Sequence, residues 1–181
     1  MIETERLLLR PWRDGDREPF AAMGRDPDVM ACFPSLLTRE QSDGLVDRVI
    51  ATIDRDGFGF WAVEVKGGAS FAGFCGISRV PFEAPFTPAV ETGWRFARAH
   101  WGHGYATEAA RAALAYGFGT LGLAEIVAFL LPANARSAAV CERLGMRRDP
   151  AGDFDHPRFT EDQRSVAGFP QRRHILYRIG R

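Results

Sequence analysis

The spacing of apolar residues along the chain predicts four helices. Asp14 and Asp16 offer cap oxygens to a first helix, which is expected to run to about Met23 and to end at Gly24. The second helix opens at a capping box of Thr-x-x-Gln and is expected to end at Asp56-Gly57, and the third is rich in alanine. Either Asn134 or Ser137 is expected to cap the fourth helix. The second, third and fourth helices begin near Thr38, Tyr105 and Asn134, and the third ends near Gly119.

Alternating or continuous apolar runs between these helices predict seven strands. Lys66-Gly67-Gly68 has the composition of a hairpin turn, so the strands that flank it are expected to be antiparallel. A strand, the alanine-rich helix and a further strand follow one another as a crossover unit, which makes these two strands parallel. The sequence therefore predicts a mixed α/β sheet with flanking helices. Its strands cover 6–10, 58–65, 71–78, 90–96, 125–131, the stretch from Met146, and 172–179.

Composition and charge limit the classes of function. The chain has 181 residues, 46% hydrophobic and 25% charged, which are ordinary values for one globular domain over residues 1–181. Lys plus Arg and Asp plus Glu are balanced at 23 each, so neither nucleic acid nor a membrane surface is an expected partner. Three cysteines at wide spacing, with no C-x-x-C pair, argue against a disulfide framework and against a cysteine zinc site. We therefore expect a cytoplasmic protein.

A glycine-punctuated turn precedes the alanine-rich helix. Gly102 and Gly104 bracket His103, and the helix that follows leaves unpaired N–H groups at its N-terminus, where phosphate is the usual occupant. The stretch lacks the Gly-Lys-Ser/Thr of a P-loop, and Thr107 stands where a dinucleotide fingerprint needs its third glycine. The turn could also be a plain corner between a strand and a helix, with glycine required for geometry alone.

The same stretch resembles the acetyl-CoA pyrophosphate loop of the GNAT N-acetyltransferases, Arg/Gln-x-x-Gly-x-Gly/Ala. Gly104 and Ala106 match that pattern, whereas Trp101 replaces its first residue. The string WGHGYATEA is similar to the Rim-type branch, which contains ribosomal-protein alanine N-acetyltransferases. A second signature, Asn-x-x-Ser followed by a helix ending in Glu-Arg-Leu-Gly-Met, begins at Asn134. The resemblance covers essentially the whole chain. It implies a mostly antiparallel sheet of about seven strands that is splayed between strands 4 and 5, at 90–96 and 125–131.

The resemblance also implies which residues hold acetyl-CoA. Backbone groups of the strand end that comes before the loop would bind the pantetheine arm, and the loop would bind the pyrophosphate. Asn134 is expected to contact the arm, with helix capping as its rival role, and Ser137 is a further cofactor contact. The implied strand and loop residues are Trp94, Arg95, Phe96, Trp101, Gly102, His103, Gly104, Tyr105, Ala106 and Thr107.

Acetyl transfer to an amine requires a group that takes the proton of the amine and benefits from one that protonates the departing thiolate. Glu91, on the strand before the loop, is the candidate base, although an ion-paired or solvent-facing glutamate is an equal alternative. Many GNAT enzymes donate the proton from a tyrosine, and Cys141 occupies the corresponding position here. Ser137 is the nearest hydroxyl, and simple packing is the alternative for Cys141. His100 and His103 lack acidic neighbours, so we expect no metal.

These observations predict an acetyl-CoA-dependent N-acetyltransferase that works by direct attack in a ternary complex. The acceptor would be a primary amine, either a protein N-terminus or a small molecule. The alternative is a non-catalytic acyl-CoA-binding sensor or regulatory module of the same fold. A homodimer is left open. Two loops, 26–35 and 80–88, are interpreted either as walls of an acceptor pocket or as packing segments.

Overall fold

The computed structural model describes all residues from 1 to 181. Eight strands form one sheet in the order β1-β2-β3-β4-β5-β6-β8-β7, antiparallel except where β5 meets β6. The predicted mixed sheet is therefore confirmed, with one additional strand, because the short β1 pairs with β2. The strands are β1 (Ile2–Glu3), β2 (Leu7–Arg10), β3 (Phe60–Val65), β4 (Gly73–Arg79), β5 (Val90–Phe96), β6 (Glu125–Leu130), β7 (Arg147–Asp155) and β8 (Arg173–Gly180).

Four helices flank the sheet, and they are α1 (Arg17–Arg25), α2 (Arg39–Asp56), α3 (Tyr105–Gly119) and α4 (Ala135–Arg143). The capping box of α2 is confirmed, since Thr38 and Gln41 each bond the backbone N–H of the other. The predicted end of α1 at Gly24 is wrong. A Cβ on Gly24 would lie 3.1 Å from the Leu37 side chain, so this glycine allows close packing inside the helix. No helix is both long enough and apolar enough to span a membrane.

The two faces of the sheet carry different helices. On one face, which we call the α3 face, the small residues Ala109, Ala110 and Ala113 let α3 lie directly on the main core. Helices α1 and α2 pack on the opposite face, which we call the α2 face, through a second cluster around Phe20 and Phe71. Side chains alternate between the faces along each strand, so residue number decides which helix layer a strand residue meets.

The sheet divides between β5 and β6. The two strands share a single register pair, Glu91 with Val127, whereas β5 makes seven pairs with β4 and β6 makes six with β8. Beyond that pair the strands separate and leave a wedge-shaped cleft, with residues 92–96 on one side and 128–130 on the other. The predicted splay is confirmed, and it falls between the fifth and sixth strands because β1 adds one to the count.

The long segment between β7 and β8 is fastened to the segment between α1 and α2. Val166 and Ala167 donate backbone N–H groups to the carbonyls of Phe33 and Ala31, over 2.9 and 3.1 Å. Gln171, only 2% exposed, donates its side-chain amide to the Cys32 carbonyl over 3.0 Å. These two loops therefore form one structure above the α2 face. The loop at 80–88 buries Phe86 against Val127, which supports the packing interpretation of that loop.

Candidate functional site

The mouth of the cleft holds the glycine-punctuated turn. Gly102 and Gly104 have φ angles of +79° and +78°, in the left-handed region that favours glycine, and Gly104 is the N-cap of α3. None of the backbone N–H groups of residues 103–107 donates a hydrogen bond. Gly104 has no side chain to satisfy them, and α3 begins there without a side-chain cap. The arrangement is a ready site for an anion, strengthened by the positive end of the helix dipole.

Residues from the N-terminal strands hold this turn in place. Glu108, in the first turn of α3, accepts hydrogen bonds from the Thr4 hydroxyl at 2.6 Å and from the Arg6 backbone and Nε at 3.0 and 2.7 Å. Burial raises the pKa of Glu108, but these bonds outweigh it and lower the pKa overall. Arg6 also donates Nη1 to the His103 carbonyl at 3.0 Å. Glu108 thus braces the loop, and Arg6, which the sequence analysis did not single out, brings a cation to it.

Trp101, which departs from the family pattern, has a defined role in the structure. Its indole Nε1 donates to the Phe96 carbonyl over 2.9 Å and ties the turn to the end of β5. The guanidinium of Arg136, from the first turn of α4, lies 4.1 Å from the centre of its ring. This pair places an arginine beside Trp101, the residue that stands where the family pattern has Arg or Gln. Arg136 was not identified from sequence, because it lies 35 positions from Trp101 and no local sequence pattern predicts a contact over that separation.

The three strand residues before the turn point in different directions. Trp94 and Phe96 pack on the α3 face with the main core, whereas Arg95 points to the α2 face. The Phe96 carbonyl is already occupied by Trp101. The cofactor contacts predicted for these residues are backbone contacts, and they stay predictions. The edge of β5 that faces the cleft supplies backbone groups with no partner strand beyond Glu91.

Asn134 and Ser137 lie at the start of α4, on the other side of the cleft. Asn134 is the N-cap, because its side-chain oxygen accepts from the Ser137 backbone N–H over 3.2 Å. Asn134, and not Ser137, therefore caps α4. The Ser137 hydroxyl makes no hydrogen bond within the protein, so it is free to contact a ligand, as is the Asn134 amide nitrogen.

Replacement of Ser137 by alanine separates its two predicted roles. We expect the acetyl-CoA KM to rise about 10-fold with kcat nearly unchanged, because a lost ground-state contact to the cofactor is worth about 0.5–1.5 kcal/mol. The cap should survive, since it uses the Ser137 backbone. Steady-state kinetics with acetyl-CoA varied would measure this, with thermal unfolding as the control. An equal fall in kcat and kcat/KM would instead make Ser137 the proton donor.

Cys141 lies inside the protein. It is 0% exposed and packs with Ala128, Leu130, Met146 and Tyr177 beneath α4. Burial raises the pKa of its thiol to about 12. These features favour the packing interpretation of Cys141 over the donor interpretation, which stays a prediction.

Glu91 lies at the vertex of the cleft. Its neighbours in register are Ser78 on β4 and Val127 on β6, and its side chain points to the α2 face. Its carboxylate makes no hydrogen bond or ion pair within the protein. Burial raises the pKa of this carboxyl to about 8, although the nearby charge of Arg158 acts to lower it. A carboxylate with a pKa close to the working pH is well matched to taking a proton from an amine.

An aromatic cluster lies on the same face, at the β6 and β8 side. The rings of His156 and His174 are 5.1 Å apart and pack against Phe129, Phe154 and Phe159. Burial lowers the pKa of both histidines, that of His156 to about 4, so both rings are neutral near pH 7. The other two histidines, His100 and His103, lie at the turn, and no group of three or more potential ligands is gathered to hold a metal ion.

Comparisons with known proteins agree with this geometry. A sequence model of the acetyltransferase (GNAT) domain family matches residues 6–147. YkkB of Bacillus subtilis (strain 168), an uncharacterized protein, is 38% identical over 146 residues, which cover 80% of this chain and 84% of YkkB. YnaD of the same organism, described as an uncharacterized N-acetyltransferase, is 31% identical over 159 residues, or 82% of this chain and 83% of YnaD.

Solved structures share the fold over almost the whole chain. An acetyltransferase from Agrobacterium tumefaciens str. C58 superposes with a TM-score of 0.77 at 28% identity, covering 99% of this chain and 94% of the other. Rim-type ribosomal-protein acetyltransferases also superpose, with TM-scores of 0.72 to 0.76, over 98–99% of this chain and 94–97% of theirs. Their identities of 14% to 19% show a common fold alone.

Proposed function

The chain belongs to the GNAT acetyltransferase family, and from this premise we propose that it transfers the acetyl group of acetyl-CoA directly to a primary amine within a ternary complex. The observation that carries the proposal is the set of unpaired N–H groups at residues 103–107, at the mouth of a cleft whose vertex carries Glu91. An anion site and a poised base at opposite ends of one cleft suit a phosphate-bearing acyl donor and an amine.

The cofactor would lie along the cleft. Its pyrophosphate would accept from the amides of residues 103–107, and its pantetheine arm would pair with the free edge of β5 and with Asn134 and Ser137. This orientation brings the thioester towards Glu91. The residues present fit the group, since they offer backbone donors for phosphate, an unpaired strand edge for amide groups, and Arg6 and Arg136 as nearby cations.

The reaction would proceed in three steps. Glu91, directly or through a water molecule, takes a proton from the ammonium form of the acceptor, whose pKa is about 7.7–8.0 for an α-amine and about 10.4 for a lysine-like amine. The neutral nitrogen then forms a bond to the thioester carbon, and the C–S bond breaks as the tetrahedral intermediate collapses. The remaining excess proton of the nitrogen passes to the departing thiolate through water, or through Ser137 if that hydroxyl acts as a donor, and Glu91 then releases its own proton to solvent.

Acceptor class and location belong to the same proposal. The WGHGYATEA string supports a place near the Rim-type branch and hence an N-terminal or small amine acceptor in the cytoplasm.

A screen for thiol release tests the proposal. The purified protein is incubated with acetyl-CoA and a panel of small amines and N-terminal peptides, and free CoA thiol is measured against the same mixture without amine. We expect at least one amine to accelerate thiol release with formation of its acetamide, seen by mass spectrometry. Tight acetyl-CoA binding with no release for any amine would contradict catalysis and favour the acyl-CoA sensor.

A further inference from the structure

Arg95 carries hydrogen-bonding capacity that the protein leaves unused. On β5, its guanidinium lies 3.9 Å from the centre of the Phe33 ring and 5.4 Å from that of Phe74. Its Nε and Nη1 atoms are buried from solvent and have no hydrogen-bond partner. No carboxylate of the protein forms an ion pair with it. Arg95 is thus a cation held by aromatic faces, with its Nε and Nη1 donors unsatisfied.

Such an arrangement is costly for a folded protein. An arginine stays charged at all working pH values, and a buried charged donor without a partner forfeits the hydrogen bonds that water would give it. Aromatic stacking attracts the cation through its flat face and does not use the in-plane N–H groups. The in-plane fork of a guanidinium matches the oxygens of a carboxylate or phosphate. The stacked geometry therefore pre-organises Arg95 for an oxyanion that the chain itself does not supply.

Two further arginines lie around the cleft. Arg136, stacked on Trp101, is close enough to the Cys32 thiol to oppose the rise in its pKa that burial causes. Arg158 is close enough to Glu91 to affect its pKa. Like Arg95, neither of these arginines has an ion-pair partner within the protein. A polycationic acceptor would meet repulsion here, whereas an anionic group would be attracted.

Arg95 and Glu91 lie on the same strand and point to the same face. They are four positions apart in sequence, which places their Cα atoms about 13 Å apart along the strand. Gly93 lies between them, and a Cβ on it would come within 3.1 Å of the Phe60 ring, so that ring covers the intervening backbone. A molecule whose amine reaches Glu91 and whose anion reaches Arg95 must therefore carry the two groups several bonds apart.

We propose that Arg95 binds an anionic group of the acceptor, and that the preferred acceptors are primary amines with a carboxylate or phosphate at the far end of a short chain. This inference rests on the proposed acetyl transfer and names its substrate class. An ω-amino acid or a short peptide with a free C-terminus has this chemistry. A polyamine does not, because it presents a second cation where Arg95 lies.

A matched acceptor series tests the assignment. The substrates are 4-aminobutyrate, 6-aminohexanoate and 8-aminooctanoate, with n-hexylamine and 1,6-diaminohexane as controls of equal length and 6-aminohexyl phosphate as the phosphate arm. We expect kcat/KM for the best ω-amino acid to exceed that for n-hexylamine by about 10- to 150-fold, the effect of one hydrogen-bonded charge. The diamine should be the poorest acceptor. A higher rate for the phosphate than for the carboxylate would identify phosphate as the preferred anion within the same proposal.

Variants test whether Arg95 is the residue that causes the preference for anionic acceptors. Arg95→Met should remove the preference for the anionic acceptor and leave the acetyl-CoA KM unchanged, and Arg95→Lys should keep part of it. The control is Arg79→Met, on the neighbouring strand β4, which removes an exposed arginine that has no ion-pair partner and lies 5.6 Å from the centre of the Phe58 ring. It should keep the full preference. Melting temperatures of all variants exclude misfolding as the cause.

Three results would overturn the proposal: equal rates for anionic and uncharged acceptors in the wild-type protein, a preference that survives Arg95→Met, or a rise in the acetyl-CoA KM as the main effect of that variant. A binding measurement distinguishes failure of the anion-site proposal from failure of the proposed acetyl transfer. If no amine releases thiol, calorimetry compares N-acetyl-6-aminohexanoate with N-hexylacetamide on the CoA-bound protein. Selective binding that depends on Arg95 would support the anion site without catalysis, and equal or undetectable binding of both would refute it.

Discussion

Gly104→Val should weaken acetyl-CoA binding by about 100-fold or more. Gly104 has a φ of +78°, which a β-branched residue does not adopt without strain, so valine would move the turn and misdirect the amides of residues 103–107. Loss of two charge-assisted hydrogen bonds to phosphate accounts for an effect of this size. The added Cβ would lie 3.6 Å from Arg6 Nη2, an ordinary contact, so the effect comes from the backbone angle and not from crowding by the protein. Equilibrium binding of acetyl-CoA measures it.

The control for this variant is Gly57→Val. Gly57 has the same φ of 78° and nothing within 4 Å of an added Cβ, but it lies at the C-terminus of α2. Both variants should lose comparable stability in thermal unfolding, and acetyl-CoA affinity should fall in Gly104→Val alone. An unchanged affinity in a folded Gly104 variant would remove the phosphate assignment of the turn.

Glu91→Gln should lower turnover by about 100- to 10,000-fold, the usual cost of losing a general base, while acetyl-CoA binding stays nearly unchanged. The pKa of Glu91 is raised to about 8, so the wild-type kcat/KM should increase as the pH rises through about 8 and the carboxylate forms. The variant should lack that limb and should rise only as the amine itself loses its proton. Its deficit should therefore shrink at the highest pH, where the amine is already neutral. Rate profiles against pH, with the exposed Glu40→Gln as a charge-matched control, measure both effects.

A second readout of Glu91 does not depend on activity. Because its pKa is higher in the folded protein than the ordinary value of 4.5, the folded state retains a proton that the unfolded chain releases. The stability contributed by Glu91 is complete below pH 4.5 and is lost as the pH rises towards and through 8. The glutamine variant should therefore gain in melting temperature relative to wild type as the pH rises from 5 to 9. If Glu91→Gln instead shows the same reaction rate as the wild-type protein at every pH, the general base lies elsewhere.

Local patterns predicted most of the fold. The Thr38 capping box, the small-residue stripe of α3 and the crossover unit all rest on residues close together in sequence, and each is confirmed. The strand count was one too low because Ile2–Glu3 is too short to show a periodicity. Gly24 was assigned to a helix end because its role, a close approach to Leu37, is visible only in three dimensions.

The candidate site was predictable to a smaller extent. The turn at Gly102 and Gly104 was found from sequence, because glycine at a fixed offset before a helix has a local physical meaning. Arg6, Arg136 and the stacked position of Arg95 were not found as side-chain contributors. Each depends on a partner from a distant part of the chain: Glu108 lies 102 residues from Arg6, and Phe33 belongs to another segment than Arg95. No spacing rule within one segment can identify such contacts.

The wedge between β5 and β6 has a consequence for how the protein avoids unwanted association. Unpaired strand edges recruit strands of other molecules and so invite aggregation, and proteins usually shield or charge them. Here two such edges face each other inside the fold and converge at Glu91 and Val127. Because each edge faces another strand of the same sheet, it is shielded from strands of other molecules, while its backbone groups stay available to an amide-bearing arm. An unpaired edge that would promote aggregation at the rim of a sheet can therefore serve as a ligand-binding edge when it lies inside the fold.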